Sequence, residues 1–252
     1  MVWFESLGVA LSTYSAVPVP QFAWKEHTMR WAICFLPAVG LLCGGGLLLW
    51  GWLSSLLEIS PLFFAAGAVC LPLVITGGIH MDGFMDTVDA LASHQPRQRK
   101  LEILKDPHCG AFAVLWCGVY LLLSLGLWHE IHAASLYIPA LVYVLSRALS
   151  ALCAVTMPNA RKEGMLHAFT AEAQRSRAAA GMILLTVLAG GVMVWLSPLQ
   201  GGLTLAAALV TTVWYRFMAK RKFGGATGDT AGFFLQTCEL TALAGFWLGG
   251  VL

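Results

Sequence analysis

Residues 76–89 read TGGIHMDGFMDTVD, and the interpretation of the whole chain starts from them. Three of the thirteen acidic residues, Asp82, Asp86 and Asp89, fall within eight positions of this stretch. Their i, i+4 and i+7 spacing places them on one stripe of a helix, within roughly 60° of one another. Such like charges repel, and a hard divalent cation suits carboxylate oxygens. A solvated helix face is the alternative, but the position after an apolar run and a Gly-Gly pair favours a metal site.

The composition is typical of a membrane protein. Hydrophobic residues make up 58% of the chain and charged residues only 11%, with a mean hydropathy of +0.75, whereas soluble domains are roughly 25% charged. The sequence predicts an all-α, polytopic membrane protein, with residues 1–252 forming a single domain. The seven cysteines include no CxxC pair, which argues against a disulfide framework and a zinc site. No basic stripe with interleaved aromatic residues indicates nucleic-acid binding.

Seven apolar segments are near the ~20 residues that cross a bilayer. The predicted spans are about Trp31–Leu57, Pro61–Ile79, Ala111–Trp128, Ala134–Met157, Ala178–Leu196, Gly201–Met218 and Ala231–Leu252. Residues 2–16 are apolar but too short to span, so we expect a helix in or near the interface, anchored by Trp3 and Phe4. Pro18 and Pro20 end that helix.

The basic residues predict the orientation of these spans. Fourteen of the fifteen lie in the N-terminal segment or in alternate loops, and the exception, Arg147, lies inside the fourth span. The side with the basic loops is expected to be cytoplasmic. We therefore expect the N-terminus inside, the C-terminus outside, and the aspartate stripe at the cytoplasmic end of the second span.

Two more loops on that side carry polar groups. Residues 104–111 read LKDPHCGA; Lys105 could contact an anion and Asp106 could bind a metal, or the segment is an ordinary juxtamembrane turn. Residues 223–232 read FGGATGDTAG, and the glycines permit close backbone approach. Because Thr227 and Asp229 precede a helix, backbone N–H groups there can meet a phosphate. A plain glycine-rich connector is the alternative.

Three ionisable residues have open roles. Arg147 and Glu239 lie at similar depth within spans, where charges normally mark function or pair with each other. They could form a structural ion pair, or Arg147 could hold a phosphate while Glu239 supports the metal site. His80 could accept a proton or be a satisfied interface histidine.

The motifs together resemble one family. Residues 77–90 resemble the GGxHxDGxxDxxD signature of cobalamin-5′-phosphate synthases, also called adenosylcobinamide-GDP ribazoletransferases. Residues 105–111 are similar to the family's KDxxxGxxG loop, although Ala113 replaces its second glycine, and residues 224–232 are similar to its GGxTGDxxG segment. Val17-Pro18-Val19-Pro20, Arg30 and residues 35–40, FLPAVG, also resemble the family's start, so the likeness covers nearly the whole chain in order.

The resemblance implies an enzyme of the bacterial inner membrane, in contact with lipid. It would join adenosylcobinamide-GDP to α-ribazole or its 5′-phosphate and release GMP, with Mg²⁺ as cofactor. A homo-oligomer is compatible with it. The implied metal ligands are Asp82, Asp86, Asp89 and Asp229. The implied substrate-binding residues are Lys105, Asp106, Arg147, Gly225, Thr227 and Gly228. The implied catalytic residues are Asp82, Asp86, Lys105 and His80, with an aspartate or His80 accepting the proton.

Two other functions compete with this one. CDP-alcohol phosphotransferases also place aspartates at a cytoplasmic membrane face, but their signature begins DGxxAR. Asp82-Gly83 is followed here by Phe84-Met85-Asp86-Thr87, without the Ala-Arg. A cation-coupled transporter would use acids spread through several spans, whereas here only Glu239 is clearly intramembrane.

Overall fold

A computed structural model describes residues 2–20, 22–131 and 135–252 of the chain. In this part the chain forms twelve α-helices. They are α1 (Val2–Tyr14), α2 (Glu26–Ala32), α3 (Leu36–Leu56), α4 (Pro61–Thr76), α5 (Ile79–Ala92), α6 (Arg97–Ile103), α7 (Ala111–Glu130), α8 (Tyr137–Thr156), α9 (Met165–Ala171), α10 (Arg175–Leu196), α11 (Pro198–Lys222) and α12 (Gly228–Val251). The all-α class is confirmed, and a single 3₁₀ turn, Ile33–Phe35, joins α2 to α3.

Five helical segments of the described residues are long and apolar enough to cross a membrane. They are Glu26–Leu56, Ala111–Glu130, Tyr137–Thr156, Arg175–Leu196 and Pro198–Lys222. A sixth exists if α4 and α5, which meet at 95°, are counted as one broken span. The predicted number of seven is not confirmed, because α12 carries Asp229, Gln236 and Glu239, and α4 has only 16 residues. The expected start of the fourth span, Ala134, lies outside the described residues.

The sharp bend between α4 and α5 follows from two glycines. Gly77 has φ 62° and ends α4 in the left-handed region, and Gly78 has φ 78° and begins α5. Residues with a side chain rarely adopt either conformation, so the Gly-Gly pair is what permits the turn. Since three carboxylates on one helix are too costly for hydrocarbon, we treat α5 as lying outside the membrane-spanning segments.

Helix α8 forms the centre of the bundle. It is 89% buried over its most apolar stretch, whereas α7 and α10 are only 22% buried. α3 approaches α8 closely, since a Cβ at Gly40 or Gly44 would lie 2.5 Å and 2.6 Å from the carbonyl oxygens of Tyr143 and Ala140. Small residues at such crossings are typical of membrane helices. The apolar side chains of α7 and α10 are therefore exposed on the outer surface of the bundle.

The predicted N-terminal helix is present as α1. Trp3 and Phe4 are 57% and 67% exposed, which suits interfacial anchors. The helix is not isolated, however, because it packs on α2 and α3. Its last residue, Tyr14, lines a cavity of the candidate site. The start of α5, the later turns of α8 and the start of α12 line that cavity too, so the site lies at one end of the helix bundle.

Candidate active site

The aspartate stripe lies on α5, as predicted. The helix covers all three carboxylates without interruption, because the glycine break falls before Ile79. Asp82 is exposed and Asp86 is partly buried. The opposite face of α5, with Phe84 and Val88, is buried in the core. The helix therefore presents Asp82 and Asp86 at one polar surface.

Two glycines bring the start of α12 against this helix. A Cβ at Gly83 would lie 2.8 Å from the carbonyl oxygen of Asp229, and one at Gly232 would lie 2.8 Å from that of His80. Only residues without a side chain fit this crossing, so α5 and α12 pack backbone to backbone. The fourth predicted metal ligand, Asp229, is thereby carried to the acidic face of α5.

The resulting cluster is rich in negative charge. Partial burial and the carboxylates of Asp82, Asp229 and Asp89 raise the pKa of Asp86 to about 7. Burial likewise raises the pKa of Asp229, although the Arg161 guanidinium and the Thr227 hydroxyl oppose the shift. At Asp86 the neighbouring carboxylates outweigh the opposing charge of Arg161, which favours the binding of a further positive charge there.

Arg161 is a site residue that sequence reasoning missed. One guanidinium nitrogen lies 3.3 Å from an Asp229 oxygen, and another donates to the carbonyl of Leu101 at 2.7 Å. In the sequence it is one of several loop cations, which predict only the orientation of the spans. No local signal marks it, because its partners lie 60 and 68 residues away.

A backbone bridge holds Arg161 in place. The segment after α8 pairs with the glycine-rich loop as an isolated parallel bridge between Asn159 and Ala226. Ala226 donates to the carbonyl of Pro158, and Ala160 donates to the carbonyl of Ala226, each at 2.9 Å. These bonds fasten the two loops together beside the start of α12. The guanidinium is therefore positioned by fixed backbone.

The glycine-rich loop also caps α12. The hydroxyl of Thr227 accepts from the N–H of Thr230, and the Thr230 side chain accepts from the N–H of Thr227. Gly225 packs so closely on Pro158 that a side chain is excluded. Gly228, by contrast, faces open space and lines two cavities. Of the three predicted substrate-binding residues of this loop, Gly228 is the one that lines both cavities, whereas Thr227 caps α12 and Gly225 packs on Pro158.

Asp89 has a structural partner that the stripe did not reveal. Its two carboxylate oxygens accept from the backbone N–H groups of Gly110 (2.6 Å) and Ala113 (2.8 Å) at the start of α7. A carboxylate at a helix N-terminus is stabilised by the exposed N–H groups and the helix dipole. Metal binding by Asp89 stays a prediction, but both of its oxygens already serve to dock α7 onto α5.

Lys105 and Asp106 lie in an exposed loop between α6 and α7. Asp106 accepts from the N–H of His108 at 3.0 Å and pairs with its imidazole at 2.7 Å. The backbone hydrogen bond from His108 lowers the pKa of Asp106. Among the described hydrogen bonds and ion pairs, neither residue contacts Asp82, Asp86 or Asp229. The structure therefore does not bring them into the cluster, and their roles stay predictions.

Arg147 does not reach the cluster either. It is 1% exposed and forms an ion pair with Glu239, and it also donates to the carbonyl of Tyr143 at 3.1 Å. Ser146 donates to the same Glu239 carboxylate at 2.9 Å. Of the two roles we considered, the geometry supports the ion pair. Phosphate binding by Arg147 stays a prediction, and its guanidinium is held by Glu239 within the bundle.

His80 lies at the start of α5, facing inward. It is 5% exposed, and burial, together with the charge of Arg147, lowers its pKa to about 3. Such an imidazole is a poor proton acceptor at neutral pH. His80 instead lines a cavity of about 170 Å³ together with Tyr14, Asp82 and Asp229. Of the two roles predicted for His80, proton acceptance is the less compatible with this environment.

The acidic cluster suits a cation that arrives with its substrate. In the described residues no three His, Cys, Asp or Glu side chains stand close enough to hold a metal by themselves. Magnesium usually keeps several waters and is held by one or two carboxylates plus substrate phosphates. Asp82, Asp86 and Asp229 fit that mode. The excess of negative charge around Asp86 is the observation that supports it.

Comparisons with known proteins agree over nearly the whole chain. The profile of the family described as cobalamin-5-phosphate synthase matches residues 6–247. Three relatives are named adenosylcobinamide-GDP ribazoletransferase. The protein of Lachnoclostridium phytofermentans is 41% identical over 96% of this chain and 93% of its own length. The proteins of Pseudomonas entomophila and Desulfitobacterium hafniense are 36% and 35% identical, covering 95% and 96% of this chain and 97% and 96% of theirs. No solved structure matches significantly.

Proposed function

The chain belongs to the cobalamin-5-phosphate synthase family, and we propose that its acidic site between α5 and α12 carries out the family's transfer reaction. The protein is an adenosylcobinamide-GDP ribazoletransferase of cobalamin biosynthesis. The observation that supports placing the reaction here is the convergence of Asp82, Asp86 and Asp229 with Arg161 at the end of the bundle.

The transfer is a phosphoryl substitution. The hydroxyl oxygen of α-ribazole, or of its 5′-phosphate, forms a bond to the phosphorus attached to cobinamide. The bond from that phosphorus to the bridging oxygen breaks, and GMP leaves with the electron pair. The hydroxyl proton passes to a base. An aspartate of the cluster is better suited than His80, because the pKa of Asp86 is about 7 whereas that of His80 is about 3.

Magnesium is the cofactor that we propose for this site. One or two of the carboxylates of Asp82, Asp86 and Asp229, together with waters and substrate phosphate oxygens, would hold it, and it would neutralise charge on the pyrophosphate when bound. Arg161 adds a fixed guanidinium beside Asp229 that can donate to a phosphate oxygen. The open backbone at Gly228 and the start of α12 offer N–H groups to the same anion.

We propose that the site faces the cytoplasm of the bacterial inner membrane. The basic residues that predict the cytoplasmic side include Arg161 and Lys162 after α8 and Lys220, Arg221 and Lys222 before α12, and the site is built at these ends of α8 and α12.

Product analysis on purified, detergent-solubilised protein tests the function. Adenosylcobinamide-GDP and α-ribazole 5′-phosphate are supplied with Mg²⁺ or with EDTA, and GMP and the corrinoid product are followed by chromatography. We expect equal amounts of both products with Mg²⁺ and none with EDTA. Product formation in EDTA would contradict the metal assignment. No product from folded protein in any metal would contradict the function and direct attention to CDP-alcohol donors or transport.

A further inference from the structure

A cavity opens from the acidic cluster toward the interior of the bundle. It has a volume of about 170 Å³ and lies between α1, α5, α8, α9 and α12. Asp82 and Asp229 are at its lining, and much of the remaining wall is apolar, including Ile33, Leu166 and Leu235. The transfer reaction involves these carboxylates, but neither substrate is yet assigned to the cavity.

One polar atom of the cavity wall has no partner. The Nε2 atom of His80 is buried and makes no hydrogen bond in the described structure, although the residue is only 5% exposed. The His80 ring stacks near that of Tyr14, with centroids 6.2 Å apart and planes inclined by 24°. Leaving a buried polar group unpaired is destabilising. A bound molecule that supplies the missing partner would remove that penalty.

The size and chemistry of the cavity restrict what enters. An engineered cavity of about 150 Å³ accepts benzene, so this one suits a single flat ring system and not a corrinoid or an intact nucleotide. A guanine would leave several donors and acceptors unpaired against the apolar wall, which is costly. An N-glycosylated benzimidazole is flat, mostly apolar, and has one free ring nitrogen that accepts a single hydrogen bond.

We propose that this cavity binds the benzimidazole base of the ribazole substrate, with His80 Nε2–H donating to the free ring nitrogen. The inference rests on the proposed function and identifies where one of its two substrates binds. The attached ribose would emerge between Asp82 and Asp229, so its hydroxyl meets the acidic cluster. His80 is then a specificity-determining residue that positions the acceptor and does not take its proton.

Two substitutions at one position test the role of His80. His80→Phe keeps an aromatic ring but cannot donate, whereas His80→Gln keeps an N–H donor at a similar reach. We expect His80→Phe to raise the KM for α-ribazole 5′-phosphate about tenfold or more. In His80→Phe, the KM for adenosylcobinamide-GDP and kcat should change by less than about twofold. The KM of His80→Gln for α-ribazole 5′-phosphate should lie nearer to the wild-type value. His27→Phe changes an exposed histidine on α2; it is the matched control and should leave all constants unchanged.

The melting temperature separates this role from a structural one. Because Nε2 has no partner in the folded protein, His80→Phe should melt at or above the wild-type temperature. Ala154→Leu, which fills the cavity from α8, should weaken equilibrium binding of labelled α-ribazole to the full chain in the absence of the second substrate.

Other outcomes overturn the inference in distinguishable ways. An unchanged KM for the ribazole substrate in His80→Phe would remove the cavity as its site. A raised KM for adenosylcobinamide-GDP alone would instead place the guanine there. A fall in kcat with a shifted pH profile and unchanged KM would make His80 the proton acceptor. Wild-type protein that binds α-ribazole through His80 but transfers nothing would contradict the proposed function and leave the binding site standing.

Discussion

Asp86 has the surroundings that matter most for chemistry at the scale of single residues. Its carboxylate is partly buried beside Asp82, Asp229 and Asp89, and its pKa is raised to about 7. A proton and a divalent cation therefore compete for it near neutral pH. Lowering the pH below 7 protonates Asp86 and so weakens cation binding, whereas raising the pH removes the proton and strengthens it.

Asp86→Asn should abolish most of the activity. The amide cannot carry the negative charge, so we expect kcat/KM to fall by at least about 100-fold. In wild type the Mg²⁺ concentration for half-maximal rate should rise as the pH falls below 7, by up to about tenfold per unit. Steady-state kinetics at a series of pH values and Mg²⁺ concentrations measures both. Glu102→Gln, an exposed carboxylate on α6, is the control, and an equal loss there would contradict the assignment.

Arg161 provides the second prediction at this scale. Arg161→Gln removes the guanidinium that contacts Asp229 and the Leu101 carbonyl, so the KM for adenosylcobinamide-GDP should rise about 10- to 100-fold. Lysine should rescue little, because a single ammonium cannot bridge both partners. Arg99→Gln, an exposed cation of α6, is the matched control. Wild-type KM values in Arg161→Gln would show that this cation serves only to fasten the loops.

At the scale of elements, the α5–α12 crossing is the contact that assembles the site. Gly232→Ala places a Cβ against the His80 carbonyl and Gly83, and the backbones cannot yield cheaply. We expect a loss of about 1–3 kcal/mol in stability and a fall in activity, because Asp229 moves away from α5. Thermal melting and transfer assays measure the two effects.

Gly118→Ala is the control for that substitution. Gly118 lies within α7 with open space where its Cβ would be, and alanine is the better helix former. The melting temperature of the Gly118→Ala variant should equal or exceed that of wild type. A Gly232→Ala variant as stable and active as wild type would mean that the close helix approach does not position the carboxylates.

At the scale of the whole molecule, the buried Arg147–Glu239 pair joins α8 to α12 in the middle of the bundle. Glu239→Gln leaves Arg147 charged and uncompensated, which typically costs 3–5 kcal/mol, so the melting temperature should drop markedly. The double variant Arg147→Met/Glu239→Gln removes both charges and should recover stability and transfer activity. A stable but inactive double variant would show that this pair takes part in the reaction.

Sidedness is also a property of the whole molecule. Cys109 is exposed in the loop between α6 and α7, on the side that we expect to be cytoplasmic. A membrane-impermeant maleimide should label it in inside-out vesicles and spare it in sealed right-side-out vesicles. Cys109→Ser should abolish that label. Labelling only from the outer side would reverse the proposed orientation.

The sequence by itself determined the class of protein and the identity of the acidic helix. Composition indicated a membrane protein, because the low fraction of charged residues and the high mean hydropathy do not depend on how the chain folds. The i, i+4, i+7 spacing of the aspartates depends only on local geometry, and α5 confirms it. The motifs also indicated the family, because they are contiguous in the chain.

Only the tertiary structure decided which distant groups join that helix. Arg161 reaches Asp229 because a loop bridge joins Asn159 to Ala226, and Arg147 pairs with Glu239 because α8 and α12 pack together. Asp89 docks α7, and His80 turns inward to a cavity bordered by α1 and α9. The physical reason is that hydrogen bonds and ion pairs depend on distance in space, and helix packing places together residues far apart in the chain.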